Sequence, residues 1–246
     1  HFVWHIHFVN PSANPLQEHI TDTIFYDQVS LTPLQLENTF NTDSCKLDEF
    51  IGILIGGGRI SAALDSNIKA YIDKTGTHFW ETYGMTETAS HIALRKIAKD
   101  AYFTPQPGVK LSAIDGLLAI EIPEVNLSIQ TTDLVHFHNG GFEILGRADD
   151  IINSGGLKIN PTEIEPLLAE TLSDLGIENN FYLGKKRHTK LGECAVLMLE
   201  GKSDFNSELL LNILKGKLPK NQAPLEIIFV PKFAFTDTGK VIRKRI

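Results

Sequence analysis

Thiol chemistry has almost no foothold in this sequence: its two cysteines, Cys45 and Cys194, lie far apart and outside any CxxC pattern. That excludes a disulfide framework and a thiolate zinc site, and it fits a reducing cytosol. Long apolar runs are missing too. No stretch approaches the roughly eighteen residues needed to cross a bilayer, so a membrane span is not expected. The opening HFVWHIHFV lacks the basic region, apolar stretch and small-residue cleavage site of a secretory signal. Positive charge is in deficit, with a formal net charge of -7, which argues against a general nucleic-acid surface. Internal repeats and low-complexity tracts are absent.

What is present is ordinary globular material, 42% hydrophobic and 22% charged over 246 residues, enough for one large domain or two smaller ones. Residues 2–9 alternate in the manner of a strand before PSANP (11–15) breaks the pattern. Thr32-Pro33 reads as a helix start, a hydroxyl cap with proline at the first helical position. IGILI (51–55) predicts a short buried strand running into Gly56-Gly57-Gly58, and Ser61 caps the helix after it; this is an α/β unit. THFW predicts another strand before ETYGMTET (81–88). From about 109 to 146 the chain is strand-rich, with Asn139-Gly140 as a hairpin turn, so a small antiparallel sheet is expected. Beyond the polar stretch GRADDIINSGG, Asn160-Pro161 opens a helix. Strands at FYLG, ECAVLML and LEIIFV and a helix at NSELLLNILKGKL complete a compact α+β module. The predicted fold class is therefore α/β with a small antiparallel subdomain, followed by a small α+β domain, with the boundary at Arg147–Asp150.

Four segments carry chemistry. Glycines 56–58 let backbone groups approach a flat ligand, yet no Gly-Lys-Ser/Thr follows them, so they are not a P-loop. Tyr83-Gly84-Met85-Thr86-Glu87-Thr88 gathers a flat ring, a hydroxyl and a hard oxygen ligand around a glycine. The third runs from Thr131-Thr132-Asp133 through Gly146-Arg147-Ala148-Asp149-Asp150 and Gly155-Gly156 to Lys158 and Pro161-Thr162-Glu163-Ile164-Glu165. The fourth is Thr236-Asp237-Thr238-Gly239-Lys240, with Arg243 three residues on. Taken singly, each has a plain reading: a structural turn, a polar turn before a helix, a surface turn with an internal ion pair, a solvated lysine. The tail VIRKR likewise reads as a basic patch. His136 and His138, like His5 and His7, alternate on a strand with no third metal ligand evident, and solvated strand faces are expected there.

In this order and spacing the four segments resemble the adenylate-forming superfamily of acyl-CoA synthetases, luciferase-like enzymes and peptide-synthetase adenylation domains. The resemblance covers nearly the whole chain. It implies that residues 1–147 are the remainder of a large adenylate-forming domain and 148–246 a mobile C-terminal domain, turning about a hinge at Asp149. Gly56, Gly57 and Gly58 would touch adenine and wall the acyl pocket, and Tyr83 would stack on adenine. Thr86 would donate to the α-phosphate and Glu87 would hold Mg²⁺. Asp133 would bind the ribose hydroxyls, although Thr132 stands where the family has glycine, and Arg147 would reach ribose and phosphate. Gly155 and Gly156 would line the pantetheine tunnel of coenzyme A. Lys240 would bridge the carboxylate and the α-phosphate as charge builds between them.

The run ETASHIALRK and the stretch SGGLKINPTEIE look most like o-succinylbenzoate–CoA ligases of menaquinone biosynthesis, which would put Ala89, Ser90 and His91 by the acyl pocket. Other aromatic or medium-chain acyl-CoA ligases, a peptide-synthetase adenylation domain, and a non-catalytic nucleotide- or CoA-binding fragment stay open. The resemblance places the superfamily's phosphate loop before His1. It thereby implies a piece that is weak or inactive alone, with a core face left for the missing part or for another copy of the chain.

Overall fold

The computed structural model describes residues 6, 8–10, 12–19, 26–202, 205–235 and 241–243. Two compact units emerge: His1–Val109 with His138–Phe142, and Lys110–Phe137 with Glu143–Ile246. The predicted strand over 2–9 falls largely outside the described residues. Those that are described, 6 and 8–10, carry no regular structure.

The first unit comprises α1 (Pro15–His19), β1 (Tyr26–Leu31), α2 (Pro33–Thr42), β2 (Phe50–Ile55), α3 (Ala62–Thr75), β3 (His78–Gly84), β4 (His91–Lys96) and β5 (Thr104–Pro105). The five strands form one sheet in chain order, β1 to β3 parallel and β3 to β5 antiparallel. Parallel neighbours need a crossover, and here each crossover carries a helix. α2 and α3 begin where the sequence placed them. Thr32 accepts from the Gln35 amide at 3.3 Å while the Gln35 side chain accepts from the Thr32 amide at 2.9 Å, a reciprocal capping box. Ser61 caps α3, and Gly76 ends it with φ 76°. Both helices bury one stripe, Leu36 on α2 and Leu64 and Ile68 on α3, in a core with Ile53, Ile55 and Phe79. Thr32→Ala removes one bond of the box and strands its partner. It should lower the unfolding free energy of this unit by about 1 kcal/mol, read from Trp80 fluorescence in a urea titration.

The second unit contains β6 (Lys110–Ile114), β7 (Leu117–Ile122), β8 (Leu127–His138) and β9 (Gly141–Arg147), neighbours in that order; residues 138–142 at the tip group with the first unit. There follow β10 (Ile152–Ser154), β11 (Leu157–Ile159), α4 (Pro161–Asp174), β12 (Phe181–His188), β13 (Gly192–Glu200), α5 (Ser207–Lys217) and β14 (Glu226–Val230). Their sheet runs β11-β10-β13-β12, with β14 parallel to β13. The apolar run Cys194–Leu199 explains itself here. Ala195, Leu197 and Leu199 meet Leu168, Leu172 and Leu214 of the helices, while Cys194, Val196 and Met198 meet Tyr182 and Phe233. A strand covered on both faces has no polar side to alternate with. Asn160 caps α4 and Pro161 opens it, as the sequence indicates. Among the described residues no helix is long and apolar enough to cross a membrane.

Candidate active site

In the first unit the glycine turn follows β2 directly. The Gly56 amide donates to the Leu31 carbonyl at 3.0 Å, and Gly57 adopts φ 78°. A Cβ on Gly56 would stand 2.4 Å from Thr82 Oγ1, whose hydroxyl donates to the Ile55 carbonyl at 3.1 Å. Thr82 thus braces the strand end, a role the sequence did not disclose.

β3 runs further than THFW, through Tyr83 to Gly84, because β4 pairs with it from Trp80 to Gly84. Tyr83 is half-buried, its ring edge-on to Phe142 at 5.9 Å and tilted against Phe103 at 6.2 Å. The register shifts between Tyr83 and Gly84. There the backbones close up, so that a Cβ on Gly84 would lie 2.4 Å from the Ser90 carbonyl oxygen and 2.7 Å from the His91 Cα. The chain then makes one short 3-10 turn, Thr86–Thr88, rather than a longer helix. Thr88 holds it, its hydroxyl accepting from the Met85 amide at 3.0 Å. Ala89, with φ 59°, closes it.

This geometry leaves Thr86, Glu87, Ala89 and Ser90 exposed and His91 half-buried, with Ser90 Oγ 3.4 Å from His91 Nδ1. Gly57, Thr82, Gly84, Met85, Ser90 and His91 line one shallow, polar depression. Of the histidines on the hairpin, His136 is exposed as expected. His138 is not simply solvated: it stacks on Tyr102 with centroids 3.8 Å apart and planes 9° from parallel, because the hairpin tip brings the two rings together.

The second unit holds the carboxylate cluster. Asp133, on β8, is only 8% exposed, and its Oδ1 lies 3.7 Å from Nη1 of Arg147, the last residue of β9. Arg147 Nη2 donates to Thr132 Oγ1 at 2.6 Å and lies 3.6 Å from Asp149 Oδ2. The threonine standing where glycine was expected therefore supplies an acceptor that orients the guanidinium. Gly146, with φ 144°, admits the α4 cap: a Cβ there would meet Asn160 Oδ1 and Thr162 Oγ1, both at 2.9 Å.

Asp149 sits in a 3-10 turn, Ala148–Asp150, and Lys185 Nζ donates to the carbonyls of Asp149 at 2.6 Å and Ile151 at 3.3 Å. Lys185 lies thirty-six residues away, beyond the reach of motif reading. The polar stretch before Asn160 is a hairpin rather than a loop: Gly155 and Gly156, at φ 59° and 87°, form the two-residue turn between β10 and β11. Residues 236–240, Lys240 among them, lie outside the described residues. Among the described residues no cluster of three or more His, Cys, Asp or Glu gathers to hold a metal.

No protein-family model matches the chain. A 2-succinylbenzoate–CoA ligase of Lactococcus lactis is 28% identical over 242 residues, spanning 89% of this chain and 51% of the ligase. A putative long chain fatty acid-CoA ligase, VraA, of Staphylococcus epidermidis is 30% identical over 118 residues, 48% of this chain and 25% of that protein. The chain thus spans a quarter to a half of these curated relatives. In fold it is similar to Bacillus subtilis o-succinylbenzoate coenzyme A synthetase (MenE) in complex with ATP and magnesium, with a TM-score of 0.70 at 21% identity over 88% of this chain and 50% of that one. It is also similar to an AMP-forming acyl-CoA synthetase/AMP-acid ligase II-like protein of Dyadobacter fermentans, TM-score 0.51. That likeness, at 31% identity across 94% of this chain and 67% of the other, establishes the family: the chain belongs to the adenylate-forming superfamily of AMP-forming acyl-CoA synthetases.

Proposed function

We propose that the full-length protein carrying this chain is an ATP-dependent acid–thiol ligase that converts o-succinylbenzoate to its coenzyme A thioester. The observation behind the nucleotide assignment is Asp133: a carboxylate buried on β8 beside a guanidinium is suited to accept from a vicinal diol such as ribose. The substrate assignment draws on the relatives named 2-succinylbenzoate–CoA ligase.

In the first half-reaction the acid's carboxylate oxygen attacks the α-phosphorus, an O–P bond forms, and pyrophosphate leaves with the bridging oxygen. The obstacle is repulsion between two anions, and Lys240 offsets it by placing an ammonium between them. Thr86 donates to the α-phosphate, Tyr83 packs against adenine, and the bare backbone of Gly56–Gly58 admits the base. Glu87 fits Mg²⁺, which takes one or two carboxylates and completes its shell with phosphate oxygens and water; the exposed single carboxylate agrees with that donor set. Bound there, the ion would neutralise phosphate charge.

In the second half-reaction the thiol sulfur attacks the acyl carbonyl and AMP leaves. Gly155 and Gly156, bare of side chains, give pantetheine room, and Asp149 is the pivot between the two steps. Ala89, Ser90 and His91 contact the acyl group, and the mobile C-terminal domain in this reading begins at residues 147–150.

Pyrophosphate release with o-succinylbenzoate, ATP and Mg²⁺, beside a panel of aromatic and medium-chain acids, tests the reading. A different preferred acid corrects the substrate. No release with any acid while nucleotide still binds would establish the non-catalytic alternative. Asp133→Asn should raise the KM for ATP about 10- to 100-fold, the value of a hydrogen bond to a charged group, with a smaller change in kcat.

A further inference from the structure

On either side of residues 236–240 the described residues of the chain hold one another. Phe235 and Val241, which flank residues 236–240, pair with each other in an antiparallel bridge, and the Ile242 amide donates to the Ala234 carbonyl at 2.8 Å. Two residues beyond Val241, Arg243 makes a two-pronged contact with Glu165 of α4: Nη1 to Oε1 and Nη2 to Oε2, both 2.8 Å. Glu165 Oε1 also accepts from the Leu183 amide of β12 at 2.8 Å. The guanidinium lies over the Tyr182 ring at 5.6 Å, and Tyr182 packs on Phe233 at 5.1 Å. Helix, sheet and C-terminal segment thus converge on a single carboxylate.

We propose that Arg243 and Glu165 form a positioning clamp for Lys240, an inference that rests on the ligase reading above. A surface ion pair adds little stability, typically about 0–1 kcal/mol, so energy alone does not account for this arrangement. Geometry does. The forked contact fixes distance and angle together, as a lysine at 243 would not. Burial works against the Arg243 charge, but the hydrogen bond and charge of Glu165 outweigh it and hold the guanidinium protonated. Its side chain is 35% exposed and that of Glu165 is 21%, so the pair forms without a deeply buried charge. Lys240 is joined to this anchor by three peptide bonds, and a displacement of about 1 Å at a reacting group can cost about 100-fold in rate.

The test is made in the full-length protein with Arg243→Lys, Glu165→Gln and the exchanged pair Glu165→Arg/Arg243→Glu. Glu165→Gln keeps an acceptor for the Leu183 amide, so the sheet contact survives. Adenylation, followed by ATP–pyrophosphate exchange, should fall 10- to 100-fold in kcat with each single change, with little change in KM for ATP. Thioester formation from pre-made acyl-adenylate should stay within about twofold, and the exchanged pair should recover part of the exchange rate. Unchanged exchange, or equal loss in both half-reactions with a lowered Tm, overturns the clamp. Lys240→Ala separates the two readings. If it is inactive in exchange while Arg243→Lys is fully active, only the clamp fails; if it keeps full exchange, the clamp and the lysine's role fall together.

Discussion

Alanine at position 240 is expected to lower acyl-adenylate formation by about 100- to 1,000-fold, the usual cost of removing one preorganised stabiliser of developing charge. The loss should appear in kcat, because an ammonium between the carboxylate and the α-phosphorus matters most as the two anions are forced together. Binding of ATP should change little. Thioester synthesis started from the acyl-adenylate should proceed near the normal rate, since the step proposed for Lys240 has already happened. Stopped-flow or exchange measurements on each half-reaction separate these outcomes. Full activity from free acid would remove Lys240 from the mechanism.

The second large effect is expected at Gly84. Adding one methyl group there sets a carbon 2.4 Å from the Ser90 carbonyl oxygen and 2.7 Å from the His91 Cα. Both obstacles are backbone, so no rotamer change relieves them, and β3 and β4 must part at the register shift. Overpacking of this kind costs about 1–3 kcal/mol. The displaced backbone carries Thr86, Glu87, Ser90 and His91, to which we assign phosphate, Mg²⁺ and acyl contacts, so on that proposal adenylation should fall together with stability. Gly216→Ala is the contrast: a Cβ at that position of α5 meets nothing within 4 Å. It should stabilise the protein by about 0.5–1 kcal/mol, since alanine favours the helix. Denaturant titration of the two variants checks both signs.

Local signals carried much of the fold in plain view. Thr32-Pro33, Ser61 and Asn160-Pro161 mark helix starts because capping is settled within three residues, and Asn139-Gly140 marks the turn between β8 and β9 for the same reason. β4 left little trace. Its last two residues are Arg95 and Lys96, and what seats them is tertiary: Arg95 pairs with Glu81, and Lys96 lies over the Trp80 ring at 5.3 Å. The Gly155-Gly156 hairpin is hidden by the brevity of its strands, three residues each.

In the site, the motifs assigned roles to the residues that would meet ligand but none to those that hold them. Thr82, Thr132, Lys185 and Glu165 act on backbone or guanidinium groups far away in sequence, and Glu165 and Arg243 are 78 residues apart. Such pairs have no periodicity to announce them. Thr132 is instructive, since a departure from the expected glycine turned out to supply a bond.

β13 has one further consequence. Enclosed by helices on one face and by Tyr182 and Phe233 on the other, and bordered by β12 and β14, it has few partial openings that would let water reach its amides. Its central protons should exchange with deuterium only when the whole second unit comes apart, which makes Val196 to Met198 the slow clock against which looser movements elsewhere in that unit can be timed.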